Sequence, residues 1–167
     1  MLREDTLENI NEELFSKLFN ENFKKVYFFV LSINRDPEDA NEITQEAFMR
    51  LLTKGVIHNH DVNHRAWVYR VARNLAMDRF RRLKKRLSFI KSHDYTEIVW
   101  EDKEENDEHK RLFEKLQSIK EKYRTILFLK YYENMSYKEI AQIEGIKEGT
   151  VMSRISRAKE ALKEALS

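Results

Sequence analysis

The sequence predicts an all-α fold, and three observations carry that prediction. Glycine occurs 3 times and proline once in 167 residues, too few for the turns of a hairpin-rich protein. The strong helix formers Glu, Lys, Leu and Arg abound. Apolar residues recur at intervals of three and four along several stretches. One acidic stretch interrupts this pattern, so the expectation is two small helical domains, 1–88 and 110–167, joined by an acidic linker at 89–109.

Composition narrows the function classes. There is no cysteine, hence no disulfide framework and no thiolate metal site. No apolar run is long enough to span a bilayer, and the opening MLREDTLENI lacks the basic start and apolar middle of a signal peptide. The expectation is a soluble cytoplasmic protein without membrane insertion. A formal charge of +2 is nearly balanced overall, but the charges are sorted by segment.

The first helix is expected from Leu14 to Ile33, where Phe15, Leu18, Phe19, Val26, Val30 and Ile33 keep a helical period. Asp36 as N-cap, Pro37 at the first helical position and Glu38 and Asp39 in the first turn start a second helix, which runs to about Lys54. Ala40, Ile43, Ala47 and Leu51 form its inward stripe. Glu42, Gln45, Glu46 and Met49 fall on the opposite side, which reads equally as solvated surface or as a docking face for a basic partner helix. The following loop, VIHNHDVNH, gathers three of the five histidines beside Asp61. Nothing orders them as ligands and no Cys or HExxH helix supports them, so no metal site or other cofactor is expected.

A third helix is expected from Arg65 to about Lys85, with Val68, Val71, Ala72, Leu75 and Leu83 inward. Arg70, Asn74, Met77 and Arg81 share the far side, flanked by Arg73 and Asp78. The run RFRRLKKR, Arg79 to Arg86, suits contact with phosphates. Basic residues alternate here with Trp67, Tyr69 and Phe80, a combination that serves unpaired bases, because rings stack on them while cations follow the backbone. Core packing accounts equally well for Trp67 and Tyr69.

From His93 to His109 acids dominate and the helical pattern lapses. Order is expected again near Arg111, with Leu112, Phe113, Leu116 and Ile119 in one helix and Tyr123, Ile126, Leu127 and Tyr131 inward on the next. Asn134 should end that helix in a left-handed turn. The stretch MSYKEIAQIEGIKEGTVMSRISRAK then reads as a helix-turn-helix. Ser136 and Glu139 form a capping box, Ile140, Ala141 and Ile143 give a buried side, and Gly145 supplies the turn. On the second helix Val151, Ile155, Ala158 and Leu162 make one buried stripe, while Met152, Ser153, Ser156 and Arg157 point outward, as a major groove requires.

Three blocks, DPEDANEITQEAFMRL (36–51), RAWVYRVARNLAMDRFRR (65–82) and YRTILFLKYYENMSYKEIAQIEGIKEGTVMSRISRAKEAL (123–162), resemble in content and order the sigma-70 family of bacterial RNA polymerase specificity subunits, and within it the extracytoplasmic-function branch. The resemblance implies a region 2-like domain, a wing-free region 4-like helix-turn-helix domain and no catalytic residues. It assigns Glu42, Gln45, Glu46 and Met49 to a coiled coil of the polymerase largest subunit, with the polymerase flap as a further contact. Trp67, Arg70, Arg73, Asn74, Asp78 and Arg81 fall at the minus-ten element, where a base leaves the stack and DNA melts. Thr150, Met152, Ser153, Arg154, Ser156 and Arg157 fall at the minus-thirty-five element, Thr150 and Arg154 at phosphates. It further implies promoter DNA, RNA polymerase core and an anti-sigma factor as partners, and a monomer when free. Three departures stand out: Met152 where the family often has Lys or Arg, Glu144 for a common Leu, and Lys120 for a common Pro. The first rival reading is an autonomous helix-turn-helix regulator, though nothing in the sequence looks like its dimerisation element; a metal-dependent hydrolase built on the histidine loop and an adaptor whose helices bind only protein are the others.

Overall fold

The computed structural model describes residues 4–87 and 115–167, with side chains from residue 11 onward; the acidic linker expected at 89–109, Leu112 and Phe113 lie outside the described residues. All regular structure among the described residues is helical: α1 Glu4–Asn34, α2 Pro37–Thr53, a short 3-10 turn Val56–His58, α3 His64–Leu87, a helical turn at 115–118, α4 Glu121–Leu127 continuing into a π-helical segment Phe128–Tyr132, α5 Tyr137–Glu144 and α6 Glu148–Leu166.

The helices start and stop where local chemistry dictates. At α2 the Asp36 side chain accepts from the Asp39 backbone N–H at 2.8 Å, with Pro37 in the first turn. α1 begins well before Leu14, and its last turn ends at Arg35, whose φ of 59° is a left-handed conformation that the sequence does not signal. Both halves of the α5 capping box form: Ser136 Oγ accepts from the Glu139 N–H at 3.2 Å, and the Glu139 carboxylate accepts from the Ser136 N–H at 2.9 Å. Burial pushes the Glu139 carboxyl up, but these bonds and one from Asn63 outweigh it, and its pKa lies below the ordinary value. Asn134, at φ 52°, and Gly145, at φ 66°, make the expected left-handed turns.

α1, α2 and α3 pack mutually around Val26, Phe29, Val30, Ile33, Ile43, Ala47, Leu51, Val68 and Ala72. Phe15, Phe19 and Phe23 of α1 surround Phe48 of α2, with Phe19 edge-on to Phe48 at 5.1 Å between centroids. Tyr69 is fully buried, so core packing is its role; Trp67 is half-buried against the same core.

Two inward expectations and one outward one need correction. Tyr131 is 53% exposed. The π-helical turn inserts extra length after Leu127, so the helical phase slips: Leu129 takes the buried position and Tyr131 rotates out. Leu83 is 45% exposed, because α3 runs on beyond its neighbours and every residue from Arg81 to Arg86 stands exposed. Met77, expected on the polar side, is partly buried against the core. It lies one turn beyond Arg73, on a flank that the second half of the chain covers.

The two halves are packed together. α1 meets α4 and α3 meets α5, so the buried apolar residues form one contiguous cluster across both. Phe29 of α1 lies 5.7 Å from Phe128. Arg124, 2% exposed, donates from Nε to the Ser32 carbonyl at 2.5 Å and from one guanidinium nitrogen to the Ile119 carbonyl at 3.1 Å. Burial, with Arg35 nearby, lowers its pKa to about 10, which leaves it charged at neutral pH.

Candidate nucleic-acid interface

α6 is held by its buried face. Val151, Ile155 and Ala158 are buried and Leu162 is half-buried against the core, as the stripe requires. The turn after Gly145 starts α6 at Glu148, and Thr150, Met152, Ser153, Ser156 and Arg157 all stand exposed on it. Met152 is 56% exposed, the right setting for an apolar contact with a base edge. Ser153 Oγ donates to the Thr150 carbonyl at 3.1 Å, which fixes its rotamer on the surface. Arg154 differs from the other five: its guanidinium donates to Glu144 Oε2 at 3.1 Å and it is half-buried.

On α3, Arg70, Asn74, Asp78 and Arg81 are exposed, with Arg81 and Asp78 paired at 3.4 Å. Exposed pairs of this kind contribute little to stability, so both side chains are available to a ligand. Arg73 is turned towards the second half instead. Its Nε donates to Glu144 Oε1 at 2.9 Å and a second nitrogen to Oε2 at 3.1 Å. Glu144, with no exposed side-chain surface, therefore clasps one arginine from α3 and one from α6. The neighbouring bridges follow the same pattern: Arg65 donates to the buried Glu133 carboxylate at 2.6 Å, and Asn63 donates to Glu139 at 3.1 Å. The Glu133 carboxylate and burial together push the Tyr69 hydroxyl pKa up, burial being the larger cause.

In the sequence Glu144 stands out only as a departure from the family pattern, and Arg65, Glu133 and Arg124 do not stand out as site residues. A signal for Glu144 existed: it falls in register with Ile140 and Ala141, where a charge needs a buried partner. Arg124 has no comparable signal, since its partners are backbone carbonyls distant in sequence.

Glu121 at the start of α4 belongs to the same charge cluster. Burial, then the Glu144 carboxylate, raise its pKa against the opposing Arg73, Arg124 and Arg154, and its Oε1 is buried without a hydrogen-bond partner. A raised folded-state pKa means that its contribution to stability is full below the unfolded value of about 4.3 and is lost as pH rises through the folded value. Glu121→Gln keeps the uncharged form at every pH. It is expected to raise stability at pH 7 relative to the parent, with the gain gone by pH 4. Melting curves from pH 4 to 8 check this; an equal offset at all pH values would refute the charge explanation.

On α2, Glu42, Gln45, Glu46 and Met49 share one exposed face, Met49 at 52%. Arg79 of α3 reaches Glu42 at 3.0 Å and also pairs with Asp39. The Glu42 hydrogen bond is the main cause of a raised Arg79 pKa. Arg50 bonds Glu46 at 2.7 Å. The histidines have local duties: the His58 ring bonds the Asn11 side chain at 2.8 Å, and His64 bonds the Val56 and Asn59 carbonyls. No cluster that could hold a metal ion occurs among the described residues, and no described helix is long and apolar enough to cross a membrane.

Comparison with known proteins agrees with this arrangement. Residues 18–86 match the family model "Sigma-70 region 2", and residues 109–162 match "Sigma-70, region 4". Region 2 followed by region 4 defines the sigma-70 class of transcription initiation proteins. The ECF RNA polymerase sigma factor SigW of Bacillus subtilis is 31% identical over 159 residues, spanning 85% of this chain and 83% of the relative. SigM of the same organism is 29% identical over 160 residues, spanning 91% and 92%. The chain belongs to the ECF RNA polymerase sigma factor family. Its fold is that of the sigma factor RpoE of Bartonella quintana, solved in complex with the anti-sigma factor NepR, with a TM-score of 0.79, 20% identity, and coverage of 91% of this chain and 96% of that one.

Proposed function

We propose that this sigma factor reads the minus-thirty-five element with α6 and the minus-ten element with α3, and docks on the polymerase largest subunit through α2. The observation that carries the reading is the exposed face of α6, where Met152, Ser153, Ser156 and Arg157 stand clear on the second helix of a helix-turn-helix whose first helix is held by a complete capping box. On α3, Arg70, Asn74, Asp78 and Arg81 are exposed beside half-buried Trp67, a surface suited to a base drawn out of the stack as the duplex melts. Once they leave Glu144, Arg154 adds a phosphate contact beside Thr150 and Arg73 joins the minus-ten surface. Glu42, Gln45, Glu46 and Met49 make the polymerase contact, with the flap as a second contact. The acidic linker at 89–109 joins the two DNA-reading domains, 1–88 and 110–167. The chain is a cytoplasmic monomer when free, acts without a cofactor or catalytic residues, and is restrained by an anti-sigma factor.

Transcription in vitro tests this. Protein added to sigma-free polymerase core should give defined RNA starts on fragmented genomic DNA of the source, and mapping them gives the promoter motif. Absence of new starts together with absence of a core complex would overturn the proposal. A specific gel shift with duplex DNA in the absence of polymerase would favour an autonomous regulator. Arg157→Ala is expected to lower transcription from promoters that need the upstream element by roughly 5- to 150-fold, the equivalent of the 1–3 kcal/mol that one specific arginine contact contributes. Titrating the variant against core, where affinity should be unchanged, locates the loss at DNA.

A further inference from the structure

Glu144 occupies both arginines that link the two DNA-reading helices to one carboxylate. Arg73 donates to both of its oxygens, at 2.9 and 3.1 Å, and Arg154 to one of them at 3.1 Å. The carboxylate is fully buried between α3, α5 and α6. A carboxylate receiving two guanidinium groups presents them with the same planar, anionic acceptor geometry that a phosphate offers. The bond partners sit on opposite sides of the boundary between the halves, so the contact is a mask on two arginines and a tie between two domains at once.

We infer that Glu144 is an intramolecular phosphate surrogate: it latches the two halves together in the free chain and keeps Arg73 and Arg154 from DNA until a phosphate backbone displaces it. This rests on the assignment of those two arginines to promoter contacts. The physical basis is competition for the same donors. With Glu144 in place, each arginine must exchange a buried carboxylate for a phosphate, so part of the binding free energy is spent on opening. Bonds between buried ionic partners are screened little by salt, whereas protein–phosphate contacts weaken steeply with it. Removing the carboxylate raises affinity, while the phosphate contacts that set the salt slope stay the same in number.

The chain has no cysteine, so a pair of labels can be placed without background. Asn41→Cys on α2 and Lys163→Cys on α6 are both exposed sites for spin labels, and pulsed electron resonance then reads the distance between the halves in the full-length protein. The labelled parent is expected to give one short, narrow distance. Glu144→Gln should add a longer-distance population and tighten the non-specific, phosphate-only binding of the free chain to duplex DNA by at least 5-fold, with the slope of log affinity on log salt unchanged, since both forms end with the same phosphate contacts. Circular dichroism checks that the variant is folded, and Glu144→Met, which removes the charge at similar volume, takes its place if it is not. Unchanged distance and unchanged affinity overturn the inference. So does a change in either one without the other, since a contact that both ties and masks must move both. The distance measurement needs no polymerase, so failure of the latch is separable from failure of the sigma assignments, which would show as the absence of core-dependent starts with the parent protein.

Discussion

Arg124→Ala is expected to lower the melting temperature by roughly 6–12 °C, a loss on the order of 3 kcal/mol at 2–4 °C per kcal/mol for a chain of this size. The residue is buried, and its guanidinium donates to the carbonyls of Ser32 at the end of α1 and of Ile119 and Gln117 before α4. Alanine leaves the Ser32 and Ile119 carbonyls without this donor, while the Gln117 carbonyl keeps its bond from Arg35, and it opens a hole lined by polar atoms. Each buried, unsatisfied group costs about 1–3 kcal/mol, and water entering part of the hole limits the total. Because Arg124 ties α1 to the second half, the loss should also reduce the cooperativity of unfolding, with the two halves melting separately in calorimetry. Arg124→Lys should recover only part of the loss, since one ammonium cannot reach three carbonyls arranged for a planar fork. A fall of under 2 °C for the alanine variant would show that the Phe29–Phe128 contact and its neighbours hold the halves together unaided.

The elements legible in the sequence are those whose determinants are local. Asp36–Pro37, the Ser136–Glu139 box, Asn134 and Gly145 each act within four residues, and all form as read. The stripes of α2 and α6 were legible for the same reason, since a 3.6-residue period needs no knowledge of what covers it. Tyr131 shows the limit of that reasoning. A π-helical turn shifts the phase by a fraction of a turn, and no residue in FLKYY announces it. Leu83 shows another limit: periodicity gives a face but not the point at which its neighbour ends. The close packing of the halves was not readable at all, because it depends on arginines meeting glutamates and carbonyls some seventy to ninety positions away. Within the candidate interface, the outward face of α6 was legible and the diversion of Arg73 and Arg154 to Glu144 was not.

Gln45→Ala combined with Glu46→Ala is expected to weaken binding to polymerase core by about 30-fold or more, the equivalent of roughly 2 kcal/mol for the loss of two central interface residues. The face combines exposed carboxylates with an exposed apolar side chain. Glu42 is steered by Arg79, Glu46 by Arg50, and Met49 supplies an exposed apolar surface between charged neighbours. An acidic rim around an apolar centre fits a basic partner helix, and removal of Glu46 should slow association most at low salt, where long-range attraction is strongest. Both side chains are exposed, so the melting temperature should stay within about 2 °C of the parent. The outward face of α6 is carried by the other half of the chain, so DNA contacts made by an assembled complex at saturating core should be unaltered. Competition between labelled parent and unlabelled variant for core measures the loss directly. Equal competition would remove the docking surface from α2, and the exposed polar face there would be solvated surface after all.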